Sequence, residues 1–194
     1  MRLLIVILFL TVFLSCSDKK KEEKSAIENF DKIDNIQKEL KLDKSNLSVK
    51  KVELPFDLEQ KDKLANLNEE EYLKTYPKLK DSKLLEIKKI ISESSDGDNA
   101  DEIFQINNGG LTFDSFVYCT YGDSDSQTLI NVKNNKIIAK EAIGYAMPDN
   151  ETYQSFVINK DLTIDVYDVN YNSRSKKILE RHQIKQDGFI VKVK

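Results

Sequence analysis

Short polar turns recur at a constant interval in the second half of the chain. An aliphatic residue precedes each turn, at Ile106, Val132, Ile158 and Ile184, and each lies 26 positions after the one before it. The turns are rich in Asn, Asp and Gly, the residues that tolerate positive φ in tight hairpins. One period has room for two strands, one tight turn and one longer polar loop. An ancestral repeat and a chance equality of strand lengths both explain the interval, and both predict a β-meander.

The segments between the turns define the strands of this meander. The expected strands cover residues 99–106, 111–121, 127–133, 136–145, 153–159, 162–169, 176–184 and 189–193. Apolar and polar residues alternate over 162–167, which is typical of an antiparallel sheet with one buried face. The predicted fold class is α+β, in which N-terminal helices cover an open antiparallel meander of about eight strands. A closed up-and-down barrel is the alternative, because eight strands are enough to close one.

Helices are predicted before the meander. Apolar residues at steps of three and four indicate a helix between Ile27 and Leu40, and Ser25 and Glu28 form a capping box at its start. A second capping box at residues 68–71 predicts a short helix that ends near position 76. Residues 82–93 favour a further helix. Residues 47–58 are expected to be extended, since Pro55 interrupts any helix there.

The N-terminus has the pattern of an export signal. Arg2 precedes a run that is apolar over residues 3–14 except for Thr11, and the chain turns abruptly polar after Cys16. The run is too short to span a bilayer, which takes about 20 residues. This pattern resembles the signal of small bacterial lipoproteins of the Bacteroidetes type. The resemblance implies that Cys16 is acylated and becomes the mature N-terminus. An uncleaved signal anchor is the alternative.

The chain divides into four segments on this reading. Residues 1–15 are the signal peptide, and residues 16–45 hold the lipidated Cys, a charged tether and an amphipathic helix. Residues 46–98 form a mixed strand and helix region that packs on the sheet, and residues 99–194 form the meander. The lipoprotein resemblance implies attachment to the envelope membrane, on the periplasmic or surface face of the outer membrane.

Composition narrows the classes of function. The formal net charge of −3 argues against a nucleic-acid partner, because such proteins usually carry a basic excess. One His and two Cys leave little material for a metal site, and nucleotide-binding and nucleophile-elbow motifs are absent. The acidic segment 96–102 departs from a calcium loop at ligand positions. We expect no enzymatic activity, no catalytic residue, no cofactor and no metal.

His182 and Cys119 carry side chains of a reactive type. Glu180 and His182 share one face of a predicted strand, so a carboxylate–imidazole pair is geometrically possible, but a nucleophile to complete a catalytic group is not apparent. Cys119 lies inside another predicted strand. Since Cys16 would carry lipid, Cys119 is expected to be an unpaired thiol in the core.

The meander predicts a candidate binding site at one edge of the sheet, namely the edge formed by the ends of the strands and the loops that connect them. Every second connection lies at the same edge, so the three longer loops cluster there and the tight turns cluster at the other edge. The candidate binding residues in these loops are Asp123, Asp125, Asp149, Asn150, Asn172 and Arg174. Six of the eight tyrosines also fall in the β region. They either stack on a sugar or peptide or pair with one another across strands.

The predicted function is therefore that of a non-enzymatic envelope lipoprotein. It would bind an envelope protein or a glycan through the loop-bearing edge of the sheet. A barrel that carries an apolar ligand is one alternative, and an envelope inhibitor or immunity protein is another.

Overall fold

A computed structural model describes residues 49–94 and 99–193 of the 194-residue chain. The expected signal peptide, the lipid-attachment residue Cys16, the charged tether and the helix expected between Ile27 and Leu40 lie outside the described residues. Positions 95–98 of the acidic segment also lie outside them. Within the described residues, three helices accompany a nine-stranded antiparallel sheet, so the predicted α+β class is confirmed.

The eight predicted strands are all present, and their bounds differ from the expected ones by at most three residues. Strands β2 to β9 pair in chain order and antiparallel, and β1 joins the sheet at β6. The helices are α1 (Leu58–Leu67), α2 (Glu69–Thr75) and α3 (Asp81–Ser94). The strands are β1 (Phe56–Asp57), β2 (Glu102–Ile106), β3 (Asp114–Thr120), β4 (Asp125–Lys133), β5 (Lys136–Ala146), β6 (Thr152–Ile158), β7 (Thr163–Asn170), β8 (Lys176–Ile184) and β9 (Ile190–Val193).

Polar side chains define the N-termini of the first two helices. Asp57 Oδ1 accepts a hydrogen bond from the backbone N–H of Gln60 at 3.2 Å, and Asn68 Oδ1 accepts one from the N–H of Glu71 at 3.1 Å. Each bond satisfies a donor that the first helical turn leaves unpaired. The helices expected after residue 68 and over 82–93 are confirmed as α2 and α3. Helix α1 has no counterpart in the sequence prediction.

The tight turns use the residues that their backbone angles require. Asn134 and Asn135 connect β4 to β5 with φ values of 52° and 59°, and a type I′ hairpin needs two positive angles in succession. Three of the four aliphatic residues that mark the 26-residue interval end a strand, at Ile106, Ile158 and Ile184. The interval is therefore the length of two strands with one tight turn and one loop.

Two hydrophobic cores pack against the sheet. The inner core joins β1, α1 and α2 to both halves of the sheet, and Phe56 lies at its centre. The Phe56 ring contacts those of Tyr76, Phe104 and Phe156 at centroid distances of 5.3, 5.7 and 5.4 Å. A second core forms where Ile87 and its neighbours on α3 pack on β2, β3 and β4. Helices thus cover the sheet, as predicted.

The sheet is open, so the alternative of a closed barrel is wrong. In the described chain, the end strands β2 and β9 do not pair with each other. Isolated bridges from Val52 and Lys78 lie along β2 instead. Strand β5 pairs with β6 through one residue pair, between Tyr145 and Gln154. Because β7 takes the other edge of β6, β1 occupies the edge that β5 leaves.

Candidate functional site

The three longer loops lie at one edge of the sheet, as the meander predicts, and cover residues 121–124, 147–151 and 171–175. Five of the six candidate residues are exposed in these loops, and the sixth, Asp125, is the half-buried first residue of β4. The exposed five are Asp123 in the first loop, Asp149 and Asn150 in the second, and Asn172 and Arg174 in the third.

Contacts bring the second and third loops together. The backbone N–H of Tyr171 donates to the carbonyl of Glu151 at 3.1 Å, and its hydroxyl donates to the carbonyl of Met147 at 3.5 Å. The first loop joins them where Asp125 pairs with Ala146, directly before the second loop. The candidates of the second and third loops therefore share one surface with Asp125 beside it, whereas Asp123 lies two residues further from that junction.

Two pairs of large side chains lie at this edge, and the hydrogen bond from the Tyr171 hydroxyl to the Met147 carbonyl connects them. Tyr145 opposes Gln154, so its side chain leaves the sheet on the other face from that of Tyr153. The rings of Tyr153 and Tyr171 lie 4.7 Å apart between centroids, and the Tyr145 hydroxyl lies 3.7 Å from the sulfur of Met147. Tyr145 is 38% exposed and Met147 is 37% exposed. We call Tyr145, Met147, Tyr153 and Tyr171 the tyrosine surface. The sequence prediction chose polar loop residues instead, although the abundance of tyrosines in the β region was a signal for this cluster.

A network of hydrogen bonds fixes Tyr153, one member of the tyrosine surface, to helix α1. Glu59 accepts from the hydroxyl of Tyr153 and from the ammonium of Lys176, both at 2.9 Å. Arg174 donates to the Tyr153 oxygen at 3.2 Å, and Lys176 lies 4.0 Å from the centroid of the Tyr167 ring. Charge-assisted bonds of this kind restrict the side chains that make them. Arg174, one of the predicted site residues, therefore positions a tyrosine.

The network also changes the titration of its members. Burial alone would raise the pKa of Glu59, but the hydrogen bonds from Lys176 and Tyr153 and the nearby positive charges hold that pKa below its ordinary value. Burial and the bond to Glu59 raise the pKa of Tyr153. At neutral pH, Glu59 is therefore an ionised acceptor and Tyr153 a neutral donor, which is the pairing that the hydrogen bond requires.

Acidic side chains surround the tyrosine surface. Asp125, Asp149 and Glu151 lie in or next to the connected loops, and Asp123 extends the series. Arg174 is the basic residue of the same loops, and its guanidinium is directed to Tyr153. Lys176 and Lys177 begin β8 directly after the third loop, and Lys176 pairs with Glu59. The loop carboxylates themselves are therefore the groups that would attract a ligand with positive charge.

The opposite edge carries open clefts rather than an aromatic surface. Residues of the 159–163 turn line two clefts of about 490 and 560 Å³. In the first, Arg181 pairs with Asp165 at 2.5 Å, and Asp161 accepts from the backbone and hydroxyl of Thr163. Their charged groups thus stabilise the turn and each other.

Cys119 is a free thiol in the inner core, as the sequence predicts. Burial is the main reason that its pKa rises to about 11. Since the thiolate is the reactive form, burial and the raised pKa both disfavour a nucleophilic role for Cys119.

Comparisons of the chain with protein-family models, with curated proteins and with solved structures find no significant match. Among the described residues, no helix is both long enough and apolar enough to cross a membrane.

Proposed function

We propose that the chain is an envelope lipoprotein, anchored through Cys16, that binds a protein partner at the loop-bearing edge of its sheet. The tyrosine surface is the observation that carries this proposal. Tyrosine and methionine are enriched in the centres of protein interfaces, because they bury a large apolar area while a hydroxyl keeps a hydrogen bond. Such a surface is suited to binding a protein and does not require catalysis.

The fixed geometry of the tyrosines supports this function. Binding is weakened by the entropy lost when mobile side chains become ordered. Glu59, Arg174 and the neighbouring ring of Tyr171 already hold the Tyr153 ring in the unbound protein. Part of the ordering cost is therefore met on folding, and the surface is available as a rigid anchor.

The charge of the surrounding loops indicates the chemistry of the partner. Carboxylates at Asp125, Asp149 and Glu151 border the tyrosine surface. Complementary charge steers association and rejects partners of like charge. The partner is therefore a protein with Lys or Arg around an apolar or aromatic centre. An uncharged glycan would donate hydroxyl hydrogen bonds to these carboxylates but would not neutralise their charge.

The lipid anchor supports the envelope location. Cys16 follows a short apolar segment and a single preceding Arg, and acyl chains on such a Cys bind a bilayer firmly once two or more are present. The open sheet also removes the basis of the carrier alternative, because that alternative required a closed barrel around an apolar ligand.

Quantitative capture from detergent-solubilised envelopes tests the proposal. The full-length chain is compared with Tyr145→Ala and Tyr171→Ala, and Phe189→Ala is the matched control, since Phe189 is a 56% exposed aromatic residue in a tight turn. We expect each tyrosine variant to retain the partner at least about tenfold less well, as interface hot spots do. The control should bind normally, and added salt should weaken capture by the parent chain.

Three results would contradict the proposal. Equal recovery of a partner by the tyrosine variants and by the parent chain would place binding elsewhere. Binding of an uncharged glycan, with no protein captured, would refute the protein partner. A Cys16→Ser variant that remains acylated and in the membrane fraction would refute the anchor.

A further inference from the structure

Glu141, Glu180 and His182 converge on one point, although they come from strands that are not neighbours in the sheet. Glu141 belongs to β5, and the other two belong to β8. One potential ligand atom of each residue lies within 4.8 Å of those of the other two. The pair that the sequence allows is present, with His182 Nε2 3.1 Å from Glu180 Oε2. Glu141 is the member that sequence reasoning missed.

Strand register explains why these side chains meet. Glu141 pairs with Leu129, Glu180 with Val166 and His182 with Ile164. Directly opposed residues project from the same face of a sheet. Leu129, Val166 and Ile164 all belong to the inner core. The two carboxylates and the imidazole therefore point to the inner side of the sheet, where His182 is only 3% exposed.

The cluster lies where the sheet departs from regular pairing. Strand β5 keeps one residue pair with β6 and also contacts β7 and β9. In the described sheet, β5 and β8 are not hydrogen-bonded neighbours. The three side chains therefore connect two parts of the sheet that the backbone ladder does not join at this point.

We propose that Glu141, Glu180 and His182 form a binding site for a divalent transition-metal ion such as Zn²⁺. The donor set is two carboxylates and one imidazole, which are ordinary zinc ligands, and the carboxylates offset part of the charge of the ion, since Lys192 already pairs with Glu180. Tetrahedral zinc ligands about 2.1 Å from the metal lie about 3.4 Å apart. Side-chain shifts of about 1 Å bring the present atoms to that spacing.

Lys192 orients the Glu180 carboxylate as a metal ligand. Its ammonium on β9 donates to Glu180 Oε1 at 2.5 Å, while Glu180 Oε2 faces His182. Ligating carboxylates commonly hold a second hydrogen bond of this kind, which orients the oxygen that faces the metal. The bound ion would fasten β5 to β8, with one coordination position left for water.

Titration of the full-length chain with Zn²⁺ and Co²⁺ tests the site. The parent for this experiment carries Cys16→Ser, because a free thiol at Cys16 would be a competing ligand. Calorimetry measures Zn²⁺ affinity and stoichiometry, and visible absorption of bound Co²⁺ reports the coordination. The variants are Glu141→Gln and His182→Gln. Glu86→Gln on α3 is the matched control, since Glu86 lies outside the cluster.

We expect saturable binding of one ion per chain. Glu141→Gln and His182→Gln should bind Zn²⁺ at least about tenfold more weakly and change the Co²⁺ spectrum, whereas Glu86→Gln should match the parent. Glu141 is only half buried, so its isosteric variant keeps the test valid if His182→Gln fails to fold. Absence of saturable binding would overturn the proposal, and so would a Glu141→Gln variant that binds both ions like the parent.

Discussion

Replacement of Phe56 by Ala should destabilise the whole sheet rather than one edge of it. The side chain is fully buried. Its ring contacts those of Tyr76 at the C-cap of α2, Phe104 on β2 and Phe156 on β6. A buried Phe→Ala change costs about 3–5 kcal/mol, because the apolar transfer energy is lost and a cavity remains. With three ring contacts removed at once, we expect a loss of about 4 kcal/mol in the free energy of unfolding.

Urea denaturation followed by far-ultraviolet circular dichroism measures this loss, because the chain has no Trp to report by fluorescence. For a chain of this size, about 4 kcal/mol corresponds to a decrease in Tm of roughly 10 °C. Phe189→Ala is the control, since an exposed side chain should cost no more than about 0.5 kcal/mol. A loss below about 1.5 kcal/mol for Phe56→Ala would refute the view that Phe56 joins the two halves of the sheet.

Three further changes test other parts of the structure. Glu59→Gln should reduce the loss of stability on acidification. The lowered pKa of Glu59 stabilises the fold above the unfolded value near 4.5, and this contribution is lost as pH falls through the folded pKa. The free energies of unfolding from urea titrations at pH 7 and pH 3 should therefore differ less for the variant than for the parent. Asn135→Val should cost about 1 kcal/mol in chemical denaturation, because a β-branched residue is strained at φ 59°, whereas Asn135→Gly should be nearly neutral. In a Cys16→Ser chain, Cys119 should react with a thiol reagent only after denaturation, and rapid labelling of the native protein would contradict its burial in the core.

The meander was predictable because its signals are local. Asn and Gly at the turns impose backbone angles, and the residues between them have the length of ordinary strands. Helix α2 was predictable for the same reason, since Asn68 caps the backbone N–H of Glu71 within four residues. Asp57 and Gln60 carried a similar signal for α1. Pro55 and the apolar residues beside it favoured an extended reading instead, which is correct only as far as β1.

Long-range pairing was not predictable. Whether the meander closes depends on which segments take the free edges of β2 and β6, and Val52 and Phe56 do so across large separations in sequence. Glu141 likewise meets Glu180 and His182 only because β5 leaves β6 after a single residue pair. Periodicity within one strand carries no information on either event.

The way in which the third loop is ordered bears on function. Tight turns combine positive backbone angles, such as those of Asn134 and Asn135, with side-chain caps, such as Asp161 Oδ1 on the N–H of Thr163. The third loop is held in the same two ways, since Arg174 has a φ of 57° and Asn170 Oδ1 accepts from the backbone N–H groups of Asn172 and Ser173 at 3.0 and 2.8 Å. A loop held by side chains accepts changes in its exposed residues while its backbone stays in place. The loop edge is therefore the part of the fold in which a binding specificity can change without loss of the meander.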